Sequence, residues 1–303
     1  MYKGSMVAVV TPMADDGGVD YDAYRALVEF HIDQGTNAIV SVGTTGESAT
    51  LSHPEHAEVI AEAVKMVHGR VPLIAGTGAN STSEAIELTE GAKTAGADAC
   101  LLVTPYYNKP TQEGLYQHFK AIAESVDIEQ ILYNVPGRTA CDMQADTVLR
   151  LAAIDNIVGI KEATGDIERI RALVAGADSD FAILSGEDWL CCESMLEGGH
   201  GVISVTANVA PKLMRAMCDA ALSGNSDEAR KLDARLQPLH KGLFVESNPI
   251  PVKWALNQMG MIGPSLRLPL TPLAAQCYDT VTDALEAADI EIASEDARAA
   301  ASV

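Results

Sequence analysis

Near the middle of the chain runs the stretch Asn156-Ile157-Val158-Gly159-Ile160-Lys161-Glu162-Ala163-Thr164, in which an apolar segment ends in a lysine. A strand that is apolar on both faces belongs to a buried parallel sheet. Such sheets keep their active sites at the carboxyl ends of the strands, which is where Lys161 would lie. Burial lowers the pKa of a lysine from ~10.4, and the free amine can attack a carbonyl. A lone strand-end lysine more often extends into solvent or pairs with a neighbour, so its surroundings must decide.

Short apolar runs of the same kind recur along the chain. They are Val7–Thr11, Ala38–Val42, Val71–Ala75, Ala99–Thr104, Gln130–Asn134, Ile157–Lys161, Phe181–Ser185 and Gly201–Val205. Segments with helical spacing lie between them, such as Tyr21–Gln34, Glu55–Val67 and Gln112–Ser125. A strand and then a helix, repeated eight times, is the pattern of a (β/α)8 TIM barrel, so we predict an α/β fold of this class.

The chain extends beyond the ~250 residues of a typical barrel. Four helical stretches without strands follow the last apolar run, namely Pro211–Ser223, Asp227–Lys241, Pro249–Met259 and Thr271–Ala288. We therefore predict a catalytic barrel over residues 1–224 and a C-terminal helical domain over 225–288. The tail, 289–303, is rich in alanine and acidic residues, and we predict that it is frayed or disordered.

The composition narrows the choice of partners and compartment. Acidic residues outnumber basic ones 42 to 21, and the net charge of −21 argues against nucleic acid and anionic membrane surfaces. The six cysteines form no CxxC pair and indicate reduced thiols. No targeting segment is evident, so we expect a soluble, cytoplasmic protein.

Polar residues follow several of the predicted strands and would face one another at the mouth of a barrel. The turn Gly43-Thr44-Thr45-Gly46 offers N–H groups and hydroxyls to a carboxylate. Tyr133, one strand before Lys161, is placed to carry protons, and Arg138 could clamp a second carboxylate. Taken singly, these features also suit a tight turn, a packing aromatic and a surface salt bridge.

One segment could suggest a metal site, because His53-Pro54-Glu55-His56 places two imidazoles three residues apart. Pro54 indicates the first turn of a helix, and no third ligand follows at metal-site spacing. Neither a GxGxxG motif nor a Walker loop is present. We predict no metal and no cofactor other than a covalent Schiff base.

Four segments of the sequence together resemble the signatures of the 4-hydroxy-tetrahydrodipicolinate (dihydrodipicolinate) synthase family. They are Gly43-Thr44-Thr45-Gly46-Glu47, Pro105-Tyr106-Tyr107, Tyr133-Asn134-Val135-Pro136-Gly137-Arg138-Thr139 and Gly159-Ile160-Lys161-Glu162-Ala163. The resemblance implies a barrel with a C-terminal helical domain, assembled as a homotetramer. It also implies condensation of pyruvate with L-aspartate 4-semialdehyde, the committed step of diaminopimelate and lysine biosynthesis.

The resemblance further implies roles for particular residues. Lys161 would form the Schiff base with pyruvate, which Thr45 and the backbone at Ile203 would hold. Tyr133, Thr44 and Tyr107 would relay protons, with Tyr107 coming from a neighbouring subunit. Arg138 would bind the carboxylate of the aldehyde. Three more positions match the family's substrate-binding segments, namely Gly186, Asn248 and Pro249.

A second polar set matches the lysine-binding cleft of feedback-inhibited members of the family. It consists of Ser48, Ala49, His53, His56, Asn80, Glu84 and Tyr106. The resemblance therefore implies inhibition by L-lysine. The alternative is that these residues have no ligand and only cap the starts of helices and contact solvent there.

Two other functions remain open at this point. One is a pyruvate aldolase acting on N-acetylneuraminate or a keto-deoxy sugar acid, for which an uncharged residue would be expected in place of Arg138. The other is a catalytically silent barrel that acts as a binding module.

Overall fold

The computed structural model describes residues 1–294 and residue 298, and its centre is a closed, all-parallel barrel. The strands pair in chain order, and β8 returns to β1. They are β1 (Gly4–Ala8), β2 (Ala38–Ser41), β3 (Leu73–Gly76), β4 (Ala99–Val103), β5 (Glu129–Asn134), β6 (Ile157–Glu162), β7 (Ala182–Ser185) and β8 (Gly201–Ser204). The predicted TIM barrel is confirmed.

Helices follow the strands and cover the outside of the barrel. In the first half these are α1 (Tyr21–Asp33), α2 (His53–Val67), α3 (Thr82–Ala95), α4 (Gln112–Ser125), a short α5 (Pro136–Thr139) and α6 (Ala145–Leu151). In the second half they are α7 (Ile167–Gly176), α8 (Cys191–Leu196), α9 (Pro211–Leu222), α10 (Ser226–Gly242), α11 (Ile250–Gln258) and α12 (Tyr278–Ala287). Local sequence fixes many of the starts: Ser52 and Glu55, for example, form a capping box at the start of α2.

The apolar side chains form two cores because each strand of a barrel has an inner and an outer face. The inner core fills the barrel and includes Met6, Ile74, Tyr133 and Ile203. The outer core lies between the strands and the helices, and it continues into the C-terminal helices through residues such as Leu236. The alternation of faces sends Lys161 and Tyr133 into the mouth of the barrel, since the two are register partners in β6 and β5.

The first strand and the last helix differ most from their predicted bounds. The first strand begins at Gly4 rather than Val7, because Gly4 and its neighbours pair with β8 from Gly201 onward. Beyond Ala8, the N–H of Val9 still donates to Val40 O at 3.1 Å. The last helix begins at Tyr278 rather than Thr271, and a short 3-10 helix over Ala275–Cys277 precedes it.

The C-terminal helices pack on the barrel. Helix α10 packs against α9, and α12 packs against α10. The division at residue 224 stays a prediction. The predicted frayed tail, 289–303, lies mostly outside the described residues, and within its described part the N–H of Ala293 donates to Gln258 O at 2.8 Å. Among the described residues, no helix has both the length and the apolar composition needed to span a membrane.

Candidate active site

Lys161 and Tyr133 form the centre of the candidate site. Both side chains are buried, and the Nζ atom of Lys161 lies 4.4 Å from the centre of the Tyr133 ring. The pair borders a cavity of about 50 Å³ at the carboxyl end of the barrel. A cavity of that size suits a small molecule of a few heavy atoms held against the amine.

Burial changes the acid–base properties of both groups. It lowers the pKa of Lys161 from its ordinary value to about 8, a fall that the carboxylates of Asp188 and Glu187 oppose and that Arg138 assists. Burial also raises the pKa of Tyr133 to about 12, while Arg138 and a hydrogen bond with the Thr44 hydroxyl act in the opposite direction. Lys161 thus has a far larger free-amine fraction near neutral pH than an exposed lysine, and Tyr133 keeps a proton that it can share.

The turn after β2 brings two hydroxyls to the cavity, those of Thr44 and Thr45. Thr45 is buried, and its Oγ1 accepts a hydrogen bond from Asn248 Nδ2 at 3.0 Å. Close packing favours glycine at position 46, since a Cβ there would lie 3.0 Å from Val42 Cα. The predicted pyruvate-binding turn therefore lies beside Lys161 and is tied to Asn248.

Arg138 lies on α5 and reaches the rim of the same cavity. Its guanidinium is exposed, and Nη2 donates to the backbone oxygen of Asn248 at 3.3 Å. Arg138 and Asn248 both line the cavity. A guanidinium has several N–H donors, and the bond to Asn248 uses one, so most of the others can face a carboxylate.

The turn after β7 closes another side of the cavity at Gly186. A Cβ on Gly186 would lie 2.6 Å from Ala163 Cβ and 3.1 Å from Lys161 Cε, so only glycine leaves room for the lysine. The next two residues, Glu187 and Asp188, are not among the residues predicted for the site. Glu187 lines the cavity, and Asp188 Oδ2 accepts from the N–H groups of Val205 and Thr206, each at 2.9 Å.

Two predicted site residues lie apart from the cavity wall. Ile203 is in β8 and packs in the inner core near Tyr133, while Val205, two residues later, borders the cavity. Tyr107 is 90% exposed and has a φ of +74°, a backbone conformation that tyrosine seldom adopts. An exposed aromatic ring held in that conformation is consistent with the predicted contribution to a neighbouring subunit.

A larger cleft adjoins the cavity and has a volume of about 430 Å³. The residues predicted for lysine binding that line it are Ser48, Ala49, His53, His56, Glu84 and Tyr106. The seventh, Asn80, adjoins it, since its Nδ2 donates to Tyr106 O at 3.1 Å. The structure thus brings the predicted set together.

The two imidazoles of the cleft differ in their surroundings. His53 is exposed, and its Nε2 lies 2.9 Å from Glu84 Oε1. His56 is buried, which lowers its pKa, and its Nε2 donates to Gly76 O at 2.9 Å. His56 therefore carries its proton on Nε2 and leaves Nδ1 as an acceptor, whereas His53 and Glu84 already satisfy each other.

One group of side chains in the described part of the chain could approach a metal ion. It consists of Cys191, Asp233 and His240, whose ligand atoms lie within 4.8 Å of one another. Asp233 Oδ1 and His240 Nε2 are 3.7 Å apart. All three side chains lie outside the lining of the cavity at Lys161.

Comparison with known proteins decides the family. The sequence profile of the dihydrodipicolinate synthetase family matches residues 1–288. The chain belongs to this family. A curated relative, the 4-hydroxy-tetrahydrodipicolinate synthase of Stutzerimonas stutzeri (strain A1501), is 62% identical over 285 residues, which cover 94% of this chain and 98% of the relative. The family prediction is confirmed, and with it the enzyme class, a lyase of the class I aldolase type.

Solved structures of dihydrodipicolinate synthases superpose closely on this chain. The chloride-inhibited enzyme from Acinetobacter baumannii, complexed with pyruvate, has a TM-score of 0.95 and 58% identity, covering 96% of this chain and 100% of its own. The enzyme from Cyanidioschyzon merolae with lysine bound has a TM-score of 0.93 and 40% identity, covering 96% of this chain and 99% of its own. These family members therefore bind pyruvate and lysine on the same fold.

Proposed function

We propose that the protein condenses pyruvate with L-aspartate 4-semialdehyde to give 4-hydroxy-tetrahydrodipicolinate. The observation that carries the proposal is the buried amine of Lys161, 4.4 Å from the ring of Tyr133 and lowered in pKa to about 8. A free amine beside a proton carrier is the arrangement that imine formation needs.

The first half of the reaction takes place at Lys161. Its Nζ attacks the ketone carbon of pyruvate, and the carbinolamine loses water to give a protonated imine. Tyr133, with Thr44 behind it, gives a proton to the departing hydroxyl. The hydroxyl of Thr45 and the N–H groups of its turn hold the pyruvate carboxylate, with the backbone at Ile203 on the far side.

The second half forms the carbon–carbon bond. Loss of a proton from the pyruvate methyl group gives an enamine, which attacks the aldehyde carbon of the second substrate. Arg138 binds the carboxylate of that substrate by charge-assisted hydrogen bonds. The amine of the same substrate then displaces Lys161 from the imine and closes the ring, with no metal or organic cofactor.

Three features of the wider assembly belong to the same proposal. The protein acts in the cytoplasm as a homotetramer, and Tyr107 completes the proton relay of a neighbouring subunit. L-Lysine binds the cleft that His53, Glu84 and Tyr106 line, and it inhibits the enzyme. Support comes from the exposed, left-handed Tyr107 and from the polar side chains of His53 and Glu84 in the wall of the cleft.

Arg138 favours this reaction over a sugar-acid aldolase, because a small amino-acid aldehyde needs a cation for its carboxylate. The test is a coupled assay of pyruvate with L-aspartate 4-semialdehyde, run beside N-acetylneuraminate. Turnover of the sugar acid alone would replace the proposal with the aldolase. Failure to trap pyruvate with borohydride would leave a catalytically silent barrel.

A further inference from the structure

Two residues that the proposed mechanism does not use form a buried ion pair under the turn that carries Thr44 and Thr45. Glu47 ends the turn, and Lys253 lies on α11. The Nζ atom of Lys253 is 2.5 Å from Glu47 Oε1, and the two side chains are 1% and 0% exposed. The pair therefore joins the turn to a C-terminal helix that is remote in sequence.

The backbone on both sides of the turn adopts a strained conformation. Val42, which precedes it, has a φ of +49°, and Glu47 has a φ of +56°. The left-handed region is unfavourable for residues other than glycine, above all for a β-branched one such as Val42. Such a conformation persists only where surrounding contacts hold it, so this turn needs an anchor.

The contacts of the ion pair supply that anchor. Glu47 Oε2 accepts from the backbone N–H of Arg267 at 3.2 Å. Lys253 Nζ also donates to Thr11 O at 3.1 Å, and Thr11 Oγ1 in turn donates to Gly46 O at 2.7 Å. The turn is thus held from the side chain of its last residue and from the backbone of the residue before it.

The same helix is connected to the substrate-facing side of the turn. Helix α11 begins two residues after Asn248, whose Nδ2 donates to Thr45 Oγ1 at 3.0 Å. The segment from Asn248 to Lys253 therefore contacts the turn at Thr45 and at Glu47, on either side of Gly46. A shift of α11 would move the Thr44 and Thr45 hydroxyls relative to Lys161.

We propose that Glu47 and Lys253 are positioning residues, whose ion pair holds the turn so that Thr44 and Thr45 face Lys161. The inference rests on the proposed function for what the two threonines hold. A buried ion pair adds little stability over an apolar pair of the same shape, so placement is the role it performs best. It predicts that loss of the pair harms pyruvate binding more than aldehyde binding, because Thr44 and Thr45 are on this turn and Arg138 is not.

The test is the double variant Glu47→Gln/Lys253→Met, which removes both charges and leaves no buried charge unpaired. We expect a folded protein whose KM for pyruvate rises and whose pyruvate–borohydride labelling slows by roughly tenfold to 10²-fold, the loss typical of a misplaced group. The KM for the aldehyde should change little. Amide exchange at residues 43–48 should be faster than in the wild type.

The matched control is Glu228→Gln/Lys231→Met, which removes an exposed ion pair on α10 and should behave as the wild type. A folded Glu47→Gln/Lys253→Met variant with normal pyruvate KM and unchanged exchange would overturn the inference. If that variant fails to fold, Glu47→Gln alone decides, because it removes the ion pair and keeps the shape of the side chain: a raised KM for pyruvate supports the inference, and an unchanged one overturns it. If the wild type is not labelled by pyruvate, the proposed function fails, and the exchange data still judge the ion pair.

Discussion

The cavity at Lys161 and the cleft beside it share walls but are built differently. Strand ends and the turns that follow them enclose about 50 Å³ around the amine, whereas loops and helix starts surround about 430 Å³ in the cleft. Lys161 and Tyr133 are held by sheet register, but His53 and Tyr106 project from loops or helix starts and are exposed. Rigid placement suits chemistry, and adaptable side chains suit reversible binding.

The largest effect is expected for Lys161→Ala, which tests whether the small cavity is the site of the chemistry. The change should abolish labelling by pyruvate and borohydride and reduce turnover to the uncatalysed level, because the nucleophile is gone. The fold should be unaffected or more stable, since burial of this amine, with its pKa near 8, costs the native state about 3 kcal/mol at neutral pH. Mass spectrometry of the labelled protein checks the site, with Lys231→Ala as the control. Label on a different lysine would contradict the assignment.

Tyr133→Phe should have the next largest effect. It keeps the ring beside Lys161 but removes the proton carrier, so kcat should fall by roughly 10²–10⁴-fold. Tyr24→Phe is a matched control, because it removes another buried hydroxyl, one bonded to Ser41 away from both cavities. Steady-state kinetics and thermal unfolding together make the measurement. Equal losses in the two variants would mean that Tyr133 serves packing rather than chemistry.

Arg138→Ala should separate the two substrates. Loss of a charge-assisted pair costs about 1.5–3 kcal/mol, so kcat/KM for the aldehyde should fall by roughly tenfold to 10²-fold. Pyruvate labelling should be nearly normal, because the amine and the turn are intact. Arg171→Ala, an exposed ion-paired arginine on α7, is the control. An equal loss for both substrates would show that Arg138 does not distinguish them.

A pH titration tests the electrostatics of the small cavity. The folded pKa of Lys161 is about 8, so the free-amine fraction rises as pH increases through that value. The rate of pyruvate labelling should rise roughly tenfold from pH 7 to pH 9 and then level off. Stability should also increase between pH 8 and ~10.4, since the unfolded lysine binds a proton there and the folded one does not. Cyanoborohydride trapping across this range measures the first effect, and a flat profile would refute the lowered pKa.

The sequence predicted which residues line the cavity better than it predicted the contacts that support them. Lys161 and Tyr133 could be predicted because the hydrophobic pattern and the order of the strands place them at the ends of consecutive strands. Consecutive strands of a parallel barrel pair with each other, so these ends lie close together. The pairing of Glu47 with Lys253 could not be predicted, because 206 positions separate the two residues and no local sequence pattern links them. The hydrogen bonds from Val205 and Thr206 to Asp188 also join different elements of the fold, so the sequence did not predict them.

The cleft was predicted in a different way. Its members lie in loops and helix starts, where no periodicity fixes which way a side chain points, so only the family resemblance brought them together. The same resemblance could not show that His53 and Glu84 are already paired, at 2.9 Å, or that Gly76 occupies one nitrogen of His56. Side-chain partners of this kind depend on tertiary geometry that a motif does not encode.

The smallest expected effect concerns the cleft, and it is inhibition by L-lysine. An ammonium group entering the cleft can take Glu84 from His53, while the Tyr106 hydroxyl and Asn80 can donate to the carboxylate. Tyr106 adjoins Tyr107, so occupation should alter the relay with a coupling of about 1–3 kcal/mol and give partial, cooperative inhibition. Titration with L-lysine at fixed pyruvate is the measurement, comparing the wild type with Glu84→Thr and with Glu87→Thr, an exposed control on α3. Glu84→Thr should need much more lysine, and Glu87→Thr should match the wild type. If lysine has no effect on the wild type, or inhibits Glu84→Thr equally, the cleft is not a regulatory site. The cavity and the cleft would then differ in how they are built but not in a catalytic and a regulatory function.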